Sequence, residues 1–190
     1  MSQKNLEAVD WSAIPAPIDD GAANHLQRMS LPEVALKSIS GGSINVGALK
    51  GWTIIYFYPM TGQPGVPLPD GWDDIPGARG CTPQSCSFRD LSQKLKKLGV
   101  DNIYGISTQP SDYQKEAADR LHLPFALLSD EQRELTDALN LPIMEVNENI
   151  LIKRLTLIVH NSEIQEVFYP VFPPDRNADD VLQFMRNKSG

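Results

Sequence analysis

A run of six aliphatic, β-branched and aromatic residues, TIIYFY at positions 53–58, limits the kind of sheet that this chain can form. The run is continuous, whereas a strand with one face in water alternates apolar and polar residues. It therefore predicts a central strand that is buried on both faces. Pro59 follows directly and predicts the end of that strand.

Strand and helix patterns alternate along the rest of the chain. Four apolar residues recur at steps of three and four, as on one face of a helix: Phe88, Leu91, Leu95 and Leu98. Pro83 fits a helix only in its first turn, so this helix is predicted to begin close to Cys81 and to end before Gly99. The further predicted elements are strands over 31–39, 102–107 and 125–129, helices over 111–122, 131–139 and 178–187, and a β-hairpin over 154–160 and 164–170. This order predicts an α/β fold in which helices flank a central sheet.

The composition indicates one domain and argues against some classes of partner. With 190 residues, of which 41% are hydrophobic, the chain can bury a core without disulfides. The net charge of −7, from 17 basic and 24 acidic side chains, argues against binding to nucleic acid or to anionic membranes. The first ten residues, MSQKNLEAVD, lack the apolar core of a signal peptide, and the longest apolar runs are too short to span a bilayer. We therefore expect a cytoplasmic protein.

Two segments lie outside the strand and helix patterns. Residues 1–30 predict an irregular N-terminal arm, and we expect Trp11 and Leu26 to anchor it to a domain formed by residues 31–190. Residues 60–80 form a loop dense in proline and glycine. A loop of this length inside a compact domain is usually functional or disordered, and the alternative is a surface insertion without a role.

The two cysteines, Cys81 and Cys86, lie five residues apart at the start of the predicted helix. In a reducing compartment, paired cysteines serve redox or metal chemistry more often than they stabilise a fold. Free amides and the dipole at a helix start favour a thiolate, so Cys81 is the candidate nucleophile. In an intact helix the two Cα atoms would be about 8–9 Å apart, whereas a disulfide needs about 7 Å or less. A disulfide between them requires the first turns to unwind, which predicts a switch between two conformations.

Other roles for the cysteines stay open at this point. Either one can be a buried apolar residue. A zinc site needs further ligands, and His25, His122 and His160 lack the spacing of a zinc motif. The C-x-x-C motif does not occur in the sequence, which argues against a general disulfide-exchange enzyme.

The residues around the cysteines resemble the active-site signature of the peroxiredoxins, and most closely that of the bacterioferritin-comigratory, or Q-type, subfamily. The matching segments are FYP at 57–59, GCTPQSCSFRD at 80–90, GIS at 105–107, LPFALLSD at 123–130 and RLTLIV at 154–159. The resemblance covers about residues 31–187 and excludes the arm and the long loop. It implies a thioredoxin-like fold and a thiol peroxidase that reduces hydrogen peroxide and organic hydroperoxides without a metal or organic cofactor.

The resemblance also implies roles for three residues. Cys81 matches the peroxidatic cysteine and Cys86 the resolving cysteine of an atypical 2-Cys enzyme, in which a sulfenic acid on the first condenses with the second to form an intramolecular disulfide. Thioredoxin or a similar dithiol reductant would reopen that disulfide. Arg154 matches the family arginine that faces the peroxidatic sulfur, where a permanent cation stabilises a thiolate and can orient the peroxide. We expect a monomer or a weak homodimer.

One position departs from the family pattern. The family keeps a threonine three residues before the peroxidatic cysteine, where its hydroxyl contacts the peroxide, and this chain has Ala78 there. Thr61, two residues after Pro59, stands where that threonine would be if residues 62–78 were a later insertion. We expect the loop to return Thr61 to the site. Thr82 is the alternative, and a site without such a hydroxyl is the third possibility.

Two other functions are compatible with the sequence. The first is a one-Cys peroxiredoxin or a redox sensor, in which Cys86 is structural. The second is a thioredoxin-fold binding module that uses the long loop. The combination of Cys81 with Arg154 argues against a binding module, because binding alone needs neither.

Overall fold

The apolar strand predicted at 53–58 lies inside a seven-stranded sheet in the computed structural model, which describes residues 9–190. The strands are β1 (Ala35–Ser38), β2 (Ser43–Asn45), β3 (Trp52–Phe57), β4 (Val100–Ser107), β5 (Leu127–Ser129), β6 (Ile143–Val146), β7 (Asn149–Ile152), β8 (Leu155–His160) and β9 (Glu163–Phe168). The helices are α1 (Cys81–Lys97), α2 (Ser111–Leu121), α3 (Glu134–Ala138) and α4 (Asn177–Ser189).

The main sheet is mixed, with strand order β2-β1-β5-β4-β3-β8-β9. Strand β3 pairs parallel with β4 and antiparallel with β8, and β4 pairs parallel with β5. Strands β8 and β9 form the predicted hairpin, while β6 and β7 form a separate two-stranded sheet. The predicted α/β, thioredoxin-like fold, a central mixed sheet flanked by helices, is therefore confirmed.

Strand β3 is buried on both faces, as its continuous apolar run predicts. Ile54 and Tyr56 pack with residues of α1 and α4 on one face, and Ile55 and Phe57 pack with α3 and with Leu26 of the arm on the other. These four side chains are completely inaccessible to solvent. The sheet thus holds α1, which carries both cysteines, against the face formed by Ile54 and Tyr56.

The N-terminal arm runs along the body of the protein from residue 9 onward. Leu26 is buried in the core, and the Trp11 ring packs edge-on against the Phe172 ring. Backbone hydrogen bonds of Arg28 and Met29 with Ile164 join the end of the arm to β9. Residues 1–8 of the predicted arm lie outside the described residues.

Some elements differ from the predictions. Strand β2 and the β6–β7 hairpin were not predicted, and α3 is shorter than the predicted helix over 131–139. The short α3 has a physical cause: Arg133 adopts a left-handed conformation, and the Asp130 carboxylate accepts the amide N–H groups of Leu135 and Thr136 at the helix start. No helix between residues 9 and 190 combines the length and apolarity that crossing a bilayer requires.

Candidate active site

Helix α1 begins at Cys81, as the sequence predicts. Gly80 precedes it in a left-handed conformation, with φ of +115°, and its carbonyl oxygen accepts the amide N–H of Gln84 at 3.0 Å. A side chain at Gly80 would lie 2.2 Å from Pro174 Cγ and 3.0 Å from the Trp11 ring, so only glycine fits there. This tight turn places the Cys81 sulfur at the positive end of the helix dipole.

Arg154 lies directly before β8 and faces the Cys81 sulfur. Its Nη2 is 3.3 Å from Cys81 Sγ and also lies within hydrogen-bond distance of the carbonyl oxygens of Gly77, Ala78 and Arg79. Both side chains are buried, with 3% of Arg154 and 4% of Cys81 exposed. This contact places a permanent, buried cation beside the sulfur of the candidate nucleophile.

Cys86 lies in the second turn of the same helix, and both cysteines are free thiols. Its side chain is half-buried, and this burial raises the pKa of the Cys86 thiol, which the nearby Arg89 only partly offsets. An intact helix keeps the Cα atoms of Cys81 and Cys86 about 8–9 Å apart. The two thiols therefore differ in environment and cannot bond without unwinding of the first turns of α1.

Cys81 and Cys86 both line one cleft of about 470 Å³. Its wall is mainly apolar and includes side chains from three segments: Val9 and Trp11 of the arm, Met60, Leu68 and Trp72 of the loop, and Pro83 of α1. Trp72 lies in a single turn of 3-10 helix and is buried, while Leu68 and Val66 are among the exposed apolar side chains. The long loop over 60–80 therefore forms part of the cleft.

Comparison with known proteins agrees with this geometry. The Redoxin family model matches residues 27–182. The chain belongs to the redoxin family. Among curated relatives, the chloroplastic peroxiredoxin Q of Gentiana triflora is 28% identical over 157 residues, which span 82% of this redoxin and 64% of that protein. The chloroplastic peroxiredoxin Q of Sedum lineare is 29% identical over 157 residues, spanning 82% of this chain and 75% of that one.

Solved structures share the fold of this redoxin at low identity. The peroxidoxin BcpB of Mycobacterium tuberculosis superposes with a TM-score of 0.68 at 22% identity, covering 85% of this chain and 96% of that one. The peroxiredoxin Q of Xanthomonas campestris superposes with a TM-score of 0.67 at 20% identity, covering 85% and 98%. The resemblance to Q-type peroxiredoxins, first seen in residues 57–59 and 80–90, is thereby confirmed.

The redoxin cleft also receives Thr61, the predicted replacement for the family threonine. Thr61 is 1% exposed and lines the same cleft as Cys81. Its backbone N–H and its hydroxyl both donate to Gln109 Oε1, at 3.0 and 3.3 Å. Thr82 lines the cleft as well, while Ala78 contributes only its carbonyl oxygen to the site, as an acceptor for Arg154 and for the Cys81 thiol. Both threonines thus stay candidates, and Thr61 is the more buried one.

Three buried polar residues of the redoxin site were not predicted: Gln84, Thr156 and Asn177. Arg154 Nη1 donates to Gln84 Oε1 at 2.6 Å, and Gln84 Nε2 donates to Asn177 Oδ1 at 3.0 Å. The Thr156 hydroxyl donates to the same Asn177 oxygen at 2.7 Å. The sequence signal available for Gln84 was its place in the matched family pattern, where an acidic residue or glutamine often stands. No sequence pattern pointed to Thr156 or Asn177 as site residues, because they come close to Gln84 of α1 only in the folded chain.

Proposed function

We propose that this redoxin is a thiol peroxidase that reduces hydrogen peroxide and organic hydroperoxides with Cys81 as nucleophile. The observation that carries the proposal is the buried Cys81 sulfur at the start of α1, 3.3 Å from Arg154 Nη2 and open to a cleft. A thiolate held by a cation beside an apolar cleft is suited to attack an O–O bond. This chemistry needs neither a metal nor an organic cofactor.

The first step oxidises Cys81 by two electrons. The thiolate attacks one peroxide oxygen, the S–O bond forms as the O–O bond breaks, and the leaving oxygen takes a proton to become water or an alcohol. Arg154 is placed to donate to a peroxide oxygen as negative charge develops there. The product on the enzyme is a Cys81 sulfenic acid.

The second step joins the two cysteines. The Cys86 sulfur attacks the Cys81 sulfenic acid, the S–S bond forms, and the hydroxyl leaves with the thiol proton as water. Because the intact helix separates the two sulfurs, the first turns of α1 unwind for this step. A dithiol protein such as thioredoxin then reduces the disulfide and restores both thiols. We also propose a cytoplasmic location, where such reductants are kept reduced.

Two cysteine variants test the proposed function. Cys81→Ser is expected to abolish peroxidase turnover, since serine cannot form a sulfenic acid. Cys86→Ser is expected to reduce one equivalent of peroxide and then stop, because the sulfenic acid has no partner. Peroxide consumption with a thioredoxin system measures the turnover of both variants. Cys86→Ser is also the matched control, since it makes the same cysteine-to-serine change in the same helix. Full turnover by Cys81→Ser would exclude the proposed mechanism.

Mass spectrometry separates this mechanism from that of a one-Cys enzyme or redox sensor. After one equivalent of peroxide, the parent protein is expected to lose two hydrogens, which is the signature of an internal disulfide. A protein in which Cys86 is only structural would gain oxygen instead. Peptide mapping then assigns the modified sulfur to Cys81 or Cys86.

A further inference from the structure

The N-terminal arm packs on the short segment that leads into α1. The Trp11 ring lies against Gly80, since a Cβ built on this glycine would be 3.0 Å from Trp11 Cη2. Three residues earlier, Gly77 faces Pro17, whose Cβ and Cγ would lie 3.5 and 3.7 Å from a Cβ at that position. The arm therefore contacts both ends of segment 77–80.

Segment 77–80 takes part in the active site in two ways. The carbonyl oxygens of its first three residues lie within hydrogen-bond distance of Arg154 Nη2. Its last residue, Gly80, accepts the amide N–H of Gln84 in the first turn of α1, at 3.0 Å. A disulfide between the two cysteines requires the first turns of α1 to unwind, which breaks this hydrogen bond. The arm is thus packed on the part of the site that the proposed disulfide rearranges.

We infer that Trp11 is a positioning residue for the resolving step: packed on Gly80, it stabilises the intact start of α1, and it leaves this place when the disulfide between Cys81 and Cys86 forms. This inference rests on the proposed peroxidase function. Trp11 therefore disfavours the disulfide, and the sulfenic acid on Cys81 persists longer before Cys86 captures it. By linkage, the disulfide loosens the docked Trp11 by the same factor.

The environment of the Trp11 ring allows it to be released. The ring is half-buried, packs edge-on against the Phe172 ring with centroids 6.1 Å apart, and lines the cleft beside Cys81. Its indole N–H is buried and has no hydrogen-bond partner in residues 9–190, whereas water supplies a partner when the ring is released. An unpaired buried donor offsets part of the free energy that burial of the ring contributes. The docked and released states therefore differ by less than the apolar area of the ring alone would give.

The rest of the arm is attached to other parts of the protein. Asp20 pairs with Lys153, and Leu26 is completely buried in the core. These contacts lie outside α1 and the segment before it, so the release concerns residues 9–17. Residues 9–26 lie outside the match to the Redoxin model. Control of the resolving step by the arm is therefore a property of this chain and not of the matched family domain.

The first test measures the equilibrium between the dithiol and the disulfide in dithiothreitol redox buffers, by alkylation and mass spectrometry. Trp11→Ala is expected to shift it about tenfold toward the disulfide, because the loss of an aromatic contact removes part of the cost of unwinding α1. Trp52→Ala is the matched control, since Trp52 is also half-buried and stacks on an aromatic ring, that of His160, at the start of β3. It is expected to stay within about twofold of the parent, because a general loss of stability affects the dithiol and the disulfide alike.

Fluorine NMR of the protein labelled with 5-fluorotryptophan observes Trp11 directly. The chain has three tryptophans, so three resonances are expected, each assigned with a Trp→Phe variant. When diamide oxidises the two thiols to the disulfide, the Trp11 resonance is expected to move toward that of free 5-fluorotryptophan. The Trp52 resonance is expected to stay in place, and dithiothreitol is expected to restore the original spectrum.

Two results would each overturn the inference. One is an equilibrium constant of Trp11→Ala within twofold of the parent, and the other is a Trp11 resonance that is the same in the dithiol and the disulfide. A disulfide that forms in no redox buffer would overturn both this inference and the proposed mechanism.

The two proposals are tested separately, because diamide and dithiothreitol act on the thiols alone. A parent protein without peroxidase turnover, but with the expected shift in Trp11→Ala, would exclude the proposed function and retain the role of Trp11. In an active peroxidase, Trp11→Ala is expected to form about threefold less Cys81 sulfinic acid per peroxide reduced. The reason is that a sulfenic acid captured sooner by Cys86 is exposed for less time to a second peroxide. An unchanged yield of sulfinic acid would show that Trp11 does not act on the resolving step.

Discussion

Thr61 supplies a buried hydroxyl to the cleft at the point in the family pattern where Ala78 has none. Because this hydroxyl donates its hydrogen to Gln109 Oε1, its lone pairs remain free to accept a hydrogen bond from a peroxide O–H. Thr61→Val keeps the shape of the side chain and removes that acceptor. We expect it to slow sulfenic acid formation at Cys81 about tenfold, the effect of one hydrogen bond of ~1.4 kcal/mol.

Thr82→Val is the control for this prediction, since Thr82 lines the same cleft and loses the same hydroxyl. Single-turnover kinetics with hydrogen peroxide are expected to give a rate within about twofold of the parent. The opposite result, a slow Thr82→Val and an unaffected Thr61→Val, would assign the peroxide contact to Thr82.

Single residues of the site were predictable from the sequence only where they carry a local signal. The helix stripe and Pro83 placed Cys81 at a helix start, and the family pattern pointed to Arg154. Gln84 contacts Arg154, which directly precedes β8, and Asn177, the first residue of α4, and these residues meet only in the folded chain. Hydrogen bonds between distant segments leave no periodic pattern in a sequence.

At the level of elements, the start of α1 depends on Gly80. Alanine at this position would adopt a left-handed backbone at a cost of about 1–2 kcal/mol, and its Cβ would clash with Pro174 and Trp11. Overpacking of this kind costs a further ~1–3 kcal/mol. We expect Gly80→Ala to lower the free energy of unfolding, measured with urea, by about 2–5 kcal/mol in all.

Gly41→Ala separates the two contributions. Gly41 has φ of +94°, and no atom lies within 4 Å of the position its Cβ would take. Gly41→Ala is therefore expected to lower the free energy of unfolding only by the cost of the left-handed backbone, about 1–2 kcal/mol. Equal losses in Gly41→Ala and Gly80→Ala would show that Pro174 and Trp11 do not pack tightly on the start of α1.

The sequence predicted the long elements and missed the short hairpins for a physical reason. The β8–β9 hairpin has two strands of six residues each. Strands of this length made it predictable, although its turn residues Asn161 and Ser162 both have positive φ. The β6–β7 hairpin has runs of four residues, and its turn residues Asn147 and Glu148 both have positive φ. Such turns usually contain glycine, so this hairpin carried no turn signal. Strand β2 has only three residues and is formed by pairing with β1.

At the level of the whole molecule, the N-terminal arm forms part of the wall of the cleft that Cys81 lines. Residues 9–26 lie outside the match to the redoxin model, yet Val9 and Trp11 line the cleft. Asp20 fixes the middle of the arm, because its carboxylate accepts the hydroxyl of Tyr169 at 2.9 Å and pairs with Lys153 at 3.1 Å. Lys153 directly precedes Arg154. The arm is thus attached next to the residue that contacts the Cys81 sulfur.

The attachment of the arm is expected to depend on pH through Asp20. The amide N–H of Ala22, the hydroxyl of Tyr169 and the ammonium of Lys153 lower the pKa of Asp20 from 3.8 to about 2. A carboxyl with a depressed pKa in the folded state contributes stability that is fully present above its unfolded pKa and is lost as the pH falls through its folded pKa. We therefore expect this contribution to be complete above about pH 4 and to disappear as the pH falls to about 2.

Carboxyl ¹³C NMR tests the prediction directly. The Asp20 resonance is expected to titrate near pH 2 in the parent and at a higher pH in Tyr169→Phe, which loses the hydroxyl donor and keeps the ring. The difference in free energy of unfolding between the parent and Asp20→Asn is expected to be constant above about pH 4 and to shrink below it. An Asp20 midpoint near 3.8 in the parent would show that the arm is not held by this contact, since an unbound carboxyl titrates at that value. In that case packing contacts, such as that of Trp11 with Phe172, would keep Trp11 in the wall of the cleft.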